Sequence, residues 1–483
     1  MMNKVSPEDL AAHGTRETFE PDDSKGSAEH ADYILDPKAP LRTARHLVEL
    51  RYTHRGDRTL QHQQGVFLAW TGTHYRDAAE EELRAEIYAF LEEALVATPT
   101  GPQRFNPTTN SVNQVLDALR AVCQLEGTIR PPAWLDDLAR PPASGVIACQ
   151  NGLLHLQTRT LRAHTPIFFS TTALPYDFDP DAHTPKEWLK FLKTIWDADP
   201  ESWATLQEIF GYFLAADTGQ QKIFLLVGPA RSGKGTIGRV LTGMLGADAV
   251  VSPTLASLET NFGVAPLIGK SAATIGDARL GGRADQAKIA ERLLSISGED
   301  SQTIDRKYLP AWTGRLTTRF LIISNELPRI ADASGALASR FIVLNLTLSF
   351  LGKEDRGLTN RCLTELPGIL NWALDGWQRL SERGYFLQPT SSSEAIQHLE
   401  DLGSPIKAFI RERCDIDPRR SIAAPRLYDA YREWCVDQGR DHAATVQTFG
   451  RDLHAAMPGL KTSQPYDDQG RRDQRVYMGI GLR

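Results

Sequence analysis

GPARSGKGT, residues Gly228–Thr236, decides how this chain is read. The spacing is that of a P-loop (Gly, four residues, Gly, Lys), with one departure. Gly235 follows Lys234, and the hydroxyl comes one place later, at Thr236. IFLLV before the loop is a β-rich apolar run, and TIGRVLTGML after it reads as a helix. Phosphate binding requires that context, because backbone N–H groups of the loop and the helix N-terminus face the phosphates while the lysine reaches the outer ones. Gly228, Pro229, Ala230, Arg231, Ser232, Gly233, Lys234, Gly235 and Thr236 are therefore the candidate nucleotide-binding residues, with Lys234 catalytic. GKGT also suits a nucleoside monophosphate kinase, so a small-molecule kinase and an ATP-driven machine both stand at this point.

Two more strand ends add chemistry. SAATIG is a small-residue strand leading to Asp277, well placed to hold Mg²⁺ or polarise an attacking water. FLIIS ends in Asn325-Glu326, and Asn325 could orient that water at a γ-phosphate. Singly, an acid or an asparagine after a strand is more often a turn residue. Ligands of open α/β sheets lie outside the carboxyl ends of strands, and Gly228, Asp277 and Asn325 each occupy such an end. The convergence carries the weight.

A chain of 483 residues exceeds one ordinary core, so two or three domains are expected. The formal net charge of −6 gives no global attraction for nucleic acid, which leaves local basic patches to supply any. Five scattered cysteines form no C-x-x-C pair and suggest neither a disulfide framework nor a zinc ribbon. The N-terminus has no apolar signal region and the longest apolar runs are too short to span a bilayer, so a soluble cytoplasmic protein with no membrane partner is expected.

Residues 1–29 are polar and read as a mobile tail; 30–180 read as a mixed α+β N-terminal domain. Within it, GVFLAWTGTHYRD is strand-like around Thr71-Gly72, and Leu83, Ile87, Phe90 and Leu91 give a charged helix one apolar face. VIACQNGLLHLQTRTLRAHTP suggests a hairpin turning at Asn151-Gly152. Thr184-Pro185-Lys186-Glu187 signals a helix start, with Thr184 as N-cap and Glu187 as its capping-box partner. Residues 181–390 read as one domain with leading helices, in which Lys222 to about Phe350 alternates β-rich and helical runs in the manner of a mostly parallel α/β sheet, and 391–483 form a last small domain beyond a serine linker at Ser391–Ser393.

GPARSGKGT, the acid in IGDARLGG, and LLSISGEDSQTIDRKYLPAWTGRLTTRFLIISNELPRIADASGALASRF together resemble superfamily 3 helicases. More narrowly they are similar to the poxvirus/phage-plasmid primase-helicase group of the AAA+ ATPases. The likeness is dense between Gly228 and Trp377 and looser elsewhere. It implies an AAA+-type P-loop motor using ATP and Mg²⁺, with Lys234 as the Walker A lysine and Asp277 as the Walker B acid. It also implies Asn325 as the sensor asparagine and Arg340 as the arginine that a neighbouring subunit points at the γ-phosphate. Metal contacts would come from Asp277 and Thr236, since Gly235 stands where the family carries a Ser or Thr ligand.

The resemblance further implies that Asp305–Leu316 is a hairpin gripping DNA, with Arg306 and Lys307 on phosphates and Tyr308 or Trp312 near bases or packing the hairpin. RRDQRVYMGIGL resembles the wing of a winged-helix domain, with Arg471, Arg472 and Arg475 as DNA contacts and Gln447–Arg451 opening a recognition helix. The expected assembly is a homo-hexameric ring on single-stranded and forked DNA, encoded by a phage or mobile element in a bacterial host and served by a separate primase.

Rival readings explain less. A monophosphate kinase accounts for the nine residues of the loop but for neither the flanking domains nor the other strand ends. Asp177-Phe178-Asp179 has the look of a two-metal primase centre, yet it lies in a Pro-rich lead into a helix, without a partner His and acid. A DNA-binding initiator or regulatory ATPase that does not unwind processively is the alternative of a different class.

Overall fold

The computed structural model describes residues 33–276, 278, 285–330, 332, 335–439, 443–466 and 474–483. Asp277, Arg471, Arg472 and the tail 1–29 lie outside them.

The chain divides into two compact units. One joins Glu80–Val122 to the described part of Met1–Leu47; the other is Val48–Ala79 with Cys123–Arg483. In the first unit, α2 (Glu80–Glu93) follows α1 (Pro40–Arg51), within which the boundary falls, and α3 (Thr109–Val122) comes next. Leu83, Ile87, Phe90 and Leu91 are all buried, as their helical spacing predicts. Tyr33 stacks on Phe90 at 4.9 Å and donates its hydroxyl to the Phe90 carbonyl at 2.7 Å.

In the second unit, β1 (Leu60–Gln63), β2 (Val66–Trp70) and β3 (Tyr75–Ala78) form an antiparallel meander. The hairpin read at Asn151-Gly152 is present as β4 (Val146–Cys149) and β5 (Gly152–His155). Two helices, α4 (Lys186–Trp196) and α5 (Pro200–Leu214), lead into the central sheet.

That sheet is parallel and, among the described residues, has five strands: β6 (Ile223–Val227), β7 (Val250–Val251), β8 (Ala272–Ile275), β11 (Arg319–Ser324) and β12 (Phe341–Asn345). Its order is β7-β8-β11-β6-β12, so β6, which leads into Gly228, is flanked by the last two strands. IFLLV is buried throughout because both faces of the sheet are covered. The strand period of two sorts the side chains. Phe224 and Leu226 join Trp188, Phe191, Phe210 and Trp372 on one face, while Ile223, Leu225 and Val227 join Ile289, Leu293 and Trp312 on the other.

Between β8 and β11 lie α7 (Gln286–Ser297) and the hairpin β9 (Ser301–Arg306) and β10 (Leu309–Arg315). Behind the first face, α8 (Leu366–Arg383) packs on α5 so closely that a Cβ on Gly211 would meet the Ala373 carbonyl at 2.4 Å. The C-terminal part carries helices Pro405–Arg413, Ala424–Asp437 and Val446–Ala456. Its three-stranded sheet comprises Ser421–Ala423, Val476–Met478 and Lys461–Ser463.

Two local expectations are corrected. α4 begins at Lys186 with Pro185 at its cap and no capping bond from a side chain of its own start. The Glu365 carboxylate instead accepts from the backbone N–H of Glu187 and Trp188, at 3.0 Å each, and so satisfies two orphan donors of the first turn. The serine run is no slack linker either: Thr390–Ser392 is a 3₁₀ turn running straight into a helix, Ser393–Gly403.

Candidate nucleotide-binding site

β6 ends at Val227, level with Ser324 of β11 and Asn345 of β12. The next residue must pass the chain leaving β12, whose Leu346 donates to the Val227 carbonyl at 2.8 Å. Only glycine fits there, since a Cβ on Gly228 would lie 2.1 Å from the Leu346 carbonyl oxygen. At the far end of the loop Gly233 takes φ +95°, with the Phe191 ring of α4 occupying the space beside it. α6 (Lys234–Leu245) starts immediately after.

Lys234 is 5% exposed. Its Nζ donates to the carbonyls of Gly228 and Pro229, both at 2.7 Å, and to Ser232 Oγ at 3.0 Å. Burial pushes its pKa below the usual lysine range. The ammonium is thus aimed into the loop rather than into solvent.

Asn325 follows β11, exposed, and lines the same cleft of about 520 Å³ as residues 231–236. The two strand ends are one inter-strand spacing apart, about 4.8 Å. Their convergence was legible in the sequence. The other walls were not: α4 supplies Phe191, α6 supplies Arg239, and the segment after β12 supplies Phe350, Lys353 and Arg356. That segment is tied to the loop by Ser349 Oγ donating to the Ala230 carbonyl (2.8 Å) and Phe350 N–H to the Arg231 carbonyl (3.0 Å). Arg361 bridges Glu187 (2.7 Å) and Asp355 (2.6 Å), and its hydrogen bond is the main cause holding the Asp355 carboxyl below its usual range.

Beside Gly235, a Cβ would lie 3.2 Å from Arg239 Nη1, a close contact that a small shift of the flexible guanidinium relieves. Arg239 donates to Thr236 Oγ1 (3.3 Å) and Thr359 Oγ1 (3.1 Å), both uncharged acceptors. The cleft therefore offers the cations Lys234, Arg239, Lys353 and Arg356 to phosphates, alongside the carboxylates of Glu187, Glu354 and Asp355. For Mg²⁺ the described loop residues offer the Thr236 hydroxyl, and no cluster of three or more His, Cys, Asp or Glu stands among the described residues.

Arg340 is elsewhere. It precedes Phe341, which pairs with Ile223 at the opposite end of β6 from the P-loop. Five strand residues separate the two edges, about 16 Å. There it donates to Gln221 Oε1 (2.7 Å) and the Ser297 carbonyl (3.3 Å).

The hairpin splits its expected contacts. Lys307 and Tyr308 form an exposed tip, Tyr308 with φ +62°. Arg306 is half-buried and donates to the carbonyls of Gln64 (2.7 Å) and Pro310 (2.8 Å). Trp312 is buried under the Arg130 guanidinium at 5.7 Å, so it packs the hairpin. Arg475 is exposed ahead of strand Val476–Met478. No helix among the described residues is long and apolar enough to cross a membrane.

Residues 45–197 match the family described as D5 N terminal like, and 226–340 match a family of unknown function, DUF5906. An apo structure of the NrS-1 C-terminal region superposes with TM-score 0.56 at 12% identity, covering 92% of this chain and 100% of that one. Two A form apo structures of the same region give 0.49 at 14% identity (87% of each chain) and 0.48 at 12% (92% and 100%). The chain thus carries a D5 N terminal-like segment at residues 45–197 and shares its fold with the NrS-1 C-terminal region.

Proposed function

We propose that the chain is an ATP-hydrolysing DNA helicase of the superfamily 3 type, built on an AAA+-type motor and acting as a homo-hexameric ring in phage or mobile-element replication. The observation that carries this reading is the P-loop closed around Lys234 beside Asn325, on adjacent ends of one parallel sheet. Lys234 holds the outer phosphates, and Asn325 orients the attacking water. Thr236 and Asp277 would hold Mg²⁺, which when bound neutralises charge on those phosphates. The exposed Lys307–Tyr308 tip grips single-stranded DNA, and the C-terminal part, read as a winged-helix domain with Arg471, Arg472 and Arg475, touches duplex at a fork. A separate primase would supply primers.

The test is phosphate release from ATP with and without single-stranded DNA. Marked stimulation is expected. Turnover indifferent to DNA would favour the regulatory ATPase instead, and ADP formed from added AMP would bring back the kinase.

Arg340 lies too far from its own P-loop to act there, which supports a role on a neighbouring subunit's nucleotide. Arg340→Ala alone should abolish turnover, yet its mixture with Lys234→Ala should recover part of it, each subunit supplying what the other lacks. A dead mixture of two variants that still assemble would remove the trans assignment.

Arg239, held only by hydroxyls in the observed bonds, is free to take a phosphate. Arg239→Ala should raise the KM for ATP about tenfold, the size of one charge-assisted hydrogen bond. An unchanged KM would leave Arg239 as a structural partner of Thr236.

A further inference from the structure

Arg340 and Gln221 meet because β6 and β12 run parallel. Ile223 pairs with Phe341, so the residues just ahead of the two strands lie side by side, at the edge of the sheet opposite the P-loop. All three observed hydrogen bonds of Arg340 leave from one nitrogen, Nη1. They go to Gln221 Oε1 at 2.7 Å, to the Gln221 carbonyl at 3.4 Å and to the carbonyl of Ser297, the last residue of α7, at 3.3 Å. Among the described residues no carboxylate pairs with this guanidinium, and its Nε–Nη2 edge has no acceptor. A guanidinium grips a phosphate through two parallel N–H groups on one edge. Gln221 and Ser297 hold the side chain by the other.

Two further observations concern how firmly it is held. Lys222, the residue after Gln221, donates to the Ser339 carbonyl at 2.8 Å, and its pKa is lowered by burial and then by the like charge of Arg340. Repulsion therefore pushes on a guanidinium anchored by uncharged acceptors alone, of which Gln221 Oε1 is the nearest. Gln221 itself has φ +53°, a left-handed backbone that residues with a side chain seldom take. Its turn is pinned from three sides: the Gln221 N–H donates to the Thr218 carbonyl (2.8 Å), Thr218 Oγ1 to Glu299 Oε1 (2.6 Å), and Gln220 Nε2 to the Gly384 carbonyl (3.0 Å). Strained backbone persists where the surroundings over-determine it, and it gathers at functional sites.

We propose that Gln221 is a positioning residue for the arginine supplied in trans: its Oε1 holds Arg340 Nη1 so that the Nε–Nη2 edge faces the γ-phosphate on the neighbouring subunit. This role rests on the trans reading of Arg340, and Gln221 touches no nucleotide itself. An amide oxygen orients the guanidinium without neutralising it, as a carboxylate would. A cation oriented beforehand needs less reorganisation in the transition state, so the effect falls on kcat and not on the KM for ATP.

The test measures phosphate release against ATP concentration, by the full-length chain with oligothymidine present, beside a thermal melt. Gln221→Gly removes the amide and suits the left-handed backbone, so the variant should melt with the wild type. Its kcat should fall about tenfold at unchanged KM, the size of one charge-assisted hydrogen bond. Mixing it with Lys234→Ala should raise turnover per Gln221→Gly subunit, because the Lys234→Ala neighbour brings a correctly held arginine. Should the glycine variant melt early, Gln221→Met, which keeps a stem of similar length and lacks the acceptor, carries the same readouts. Wild-type kcat in these variants, beside an inactive Arg340→Ala, would overturn the positioning role and leave the trans arginine standing. A loss that mixing does not relieve, while Arg340→Ala and Lys234→Ala complement each other, would overturn it as well, since Gln221 would then act within its own subunit. An Arg340→Ala variant that keeps its turnover, or fails to complement Lys234→Ala, would bring both readings down.

Discussion

Lys234→Ala is expected to lower ATP turnover by about a thousandfold or more, the scale on which removing one preorganised charge from a phosphoryl-transfer site acts. The side chain is the first of α6, almost fully buried, and all three of its observed bonds point into the loop. Its position therefore costs the nucleotide little reorganisation, and a cation already in place is worth more than one that must be recruited. Alanine removes the charge but keeps the helix, because Ala is the best helix former. Of the three acceptors it abandons, Pro229 is exposed and Ser232 borders the cleft, so water can replace the ammonium at those two. The melting temperature should thus fall by only a few degrees, about 1 kcal/mol in a domain of this size. Phosphate release measured beside a thermal melt checks both halves. A folded variant that still turns over ATP would mean that the loop is not the hydrolytic site.

Much of this site was legible because its signals are local. The P-loop, its strand and its helix occupy one continuous run, and the Asn325 strand end is marked by an apolar run that stops. The amphipathic helix around Leu83 and Phe90 declared itself through spacing alone. What escaped depends on partners distant in sequence. Glu365 caps α4 from 178 residues beyond Glu187, so the local Thr184 signal was outcompeted by a carboxylate that no window could include. Arg306 read as a phosphate contact of the hairpin, and the structure gives it main-chain partners, one of them 242 residues away. An arginine between a loop and an apolar strand reads as solvated. Arg319 shows how far that can mislead.

Arg319→Met is expected to destabilise the folded chain by about 3–5 kcal/mol, because several buried carbonyls lose the donor they share. Arg319 opens β11 with only 4% exposure, at the foot of the sheet where α5 ends. α5 stops at Leu214, and its last carbonyls have no intrahelical partner and carry the negative end of the helix dipole. The guanidinium takes them: Nη1 donates to Tyr212 (3.2 Å) and Ala215, and Nη2 to Phe213 (3.2 Å) and Ser271 (3.0 Å). Burial lowers its pKa to about 10, which leaves it charged at neutral pH. Methionine approximates the apolar stem but donates nothing, and three of the four residues whose carbonyls it orphans, Tyr212, Phe213 and Ala215, are buried. Each costs about 1–3 kcal/mol if water cannot reach it. At about 2–4 °C per kcal/mol, the melting temperature should drop by roughly 10 °C, read by scanning calorimetry. Below that transition ATP turnover should persist, because Arg319 touches neither the loop nor the cleft. The two variants therefore cross: Lys234→Ala loses turnover and keeps the fold, while Arg319→Met keeps turnover in the cold and loses the fold early. A Met variant that melts with the wild type would show that water reaches the end of α5, and that the arginine is not its cap.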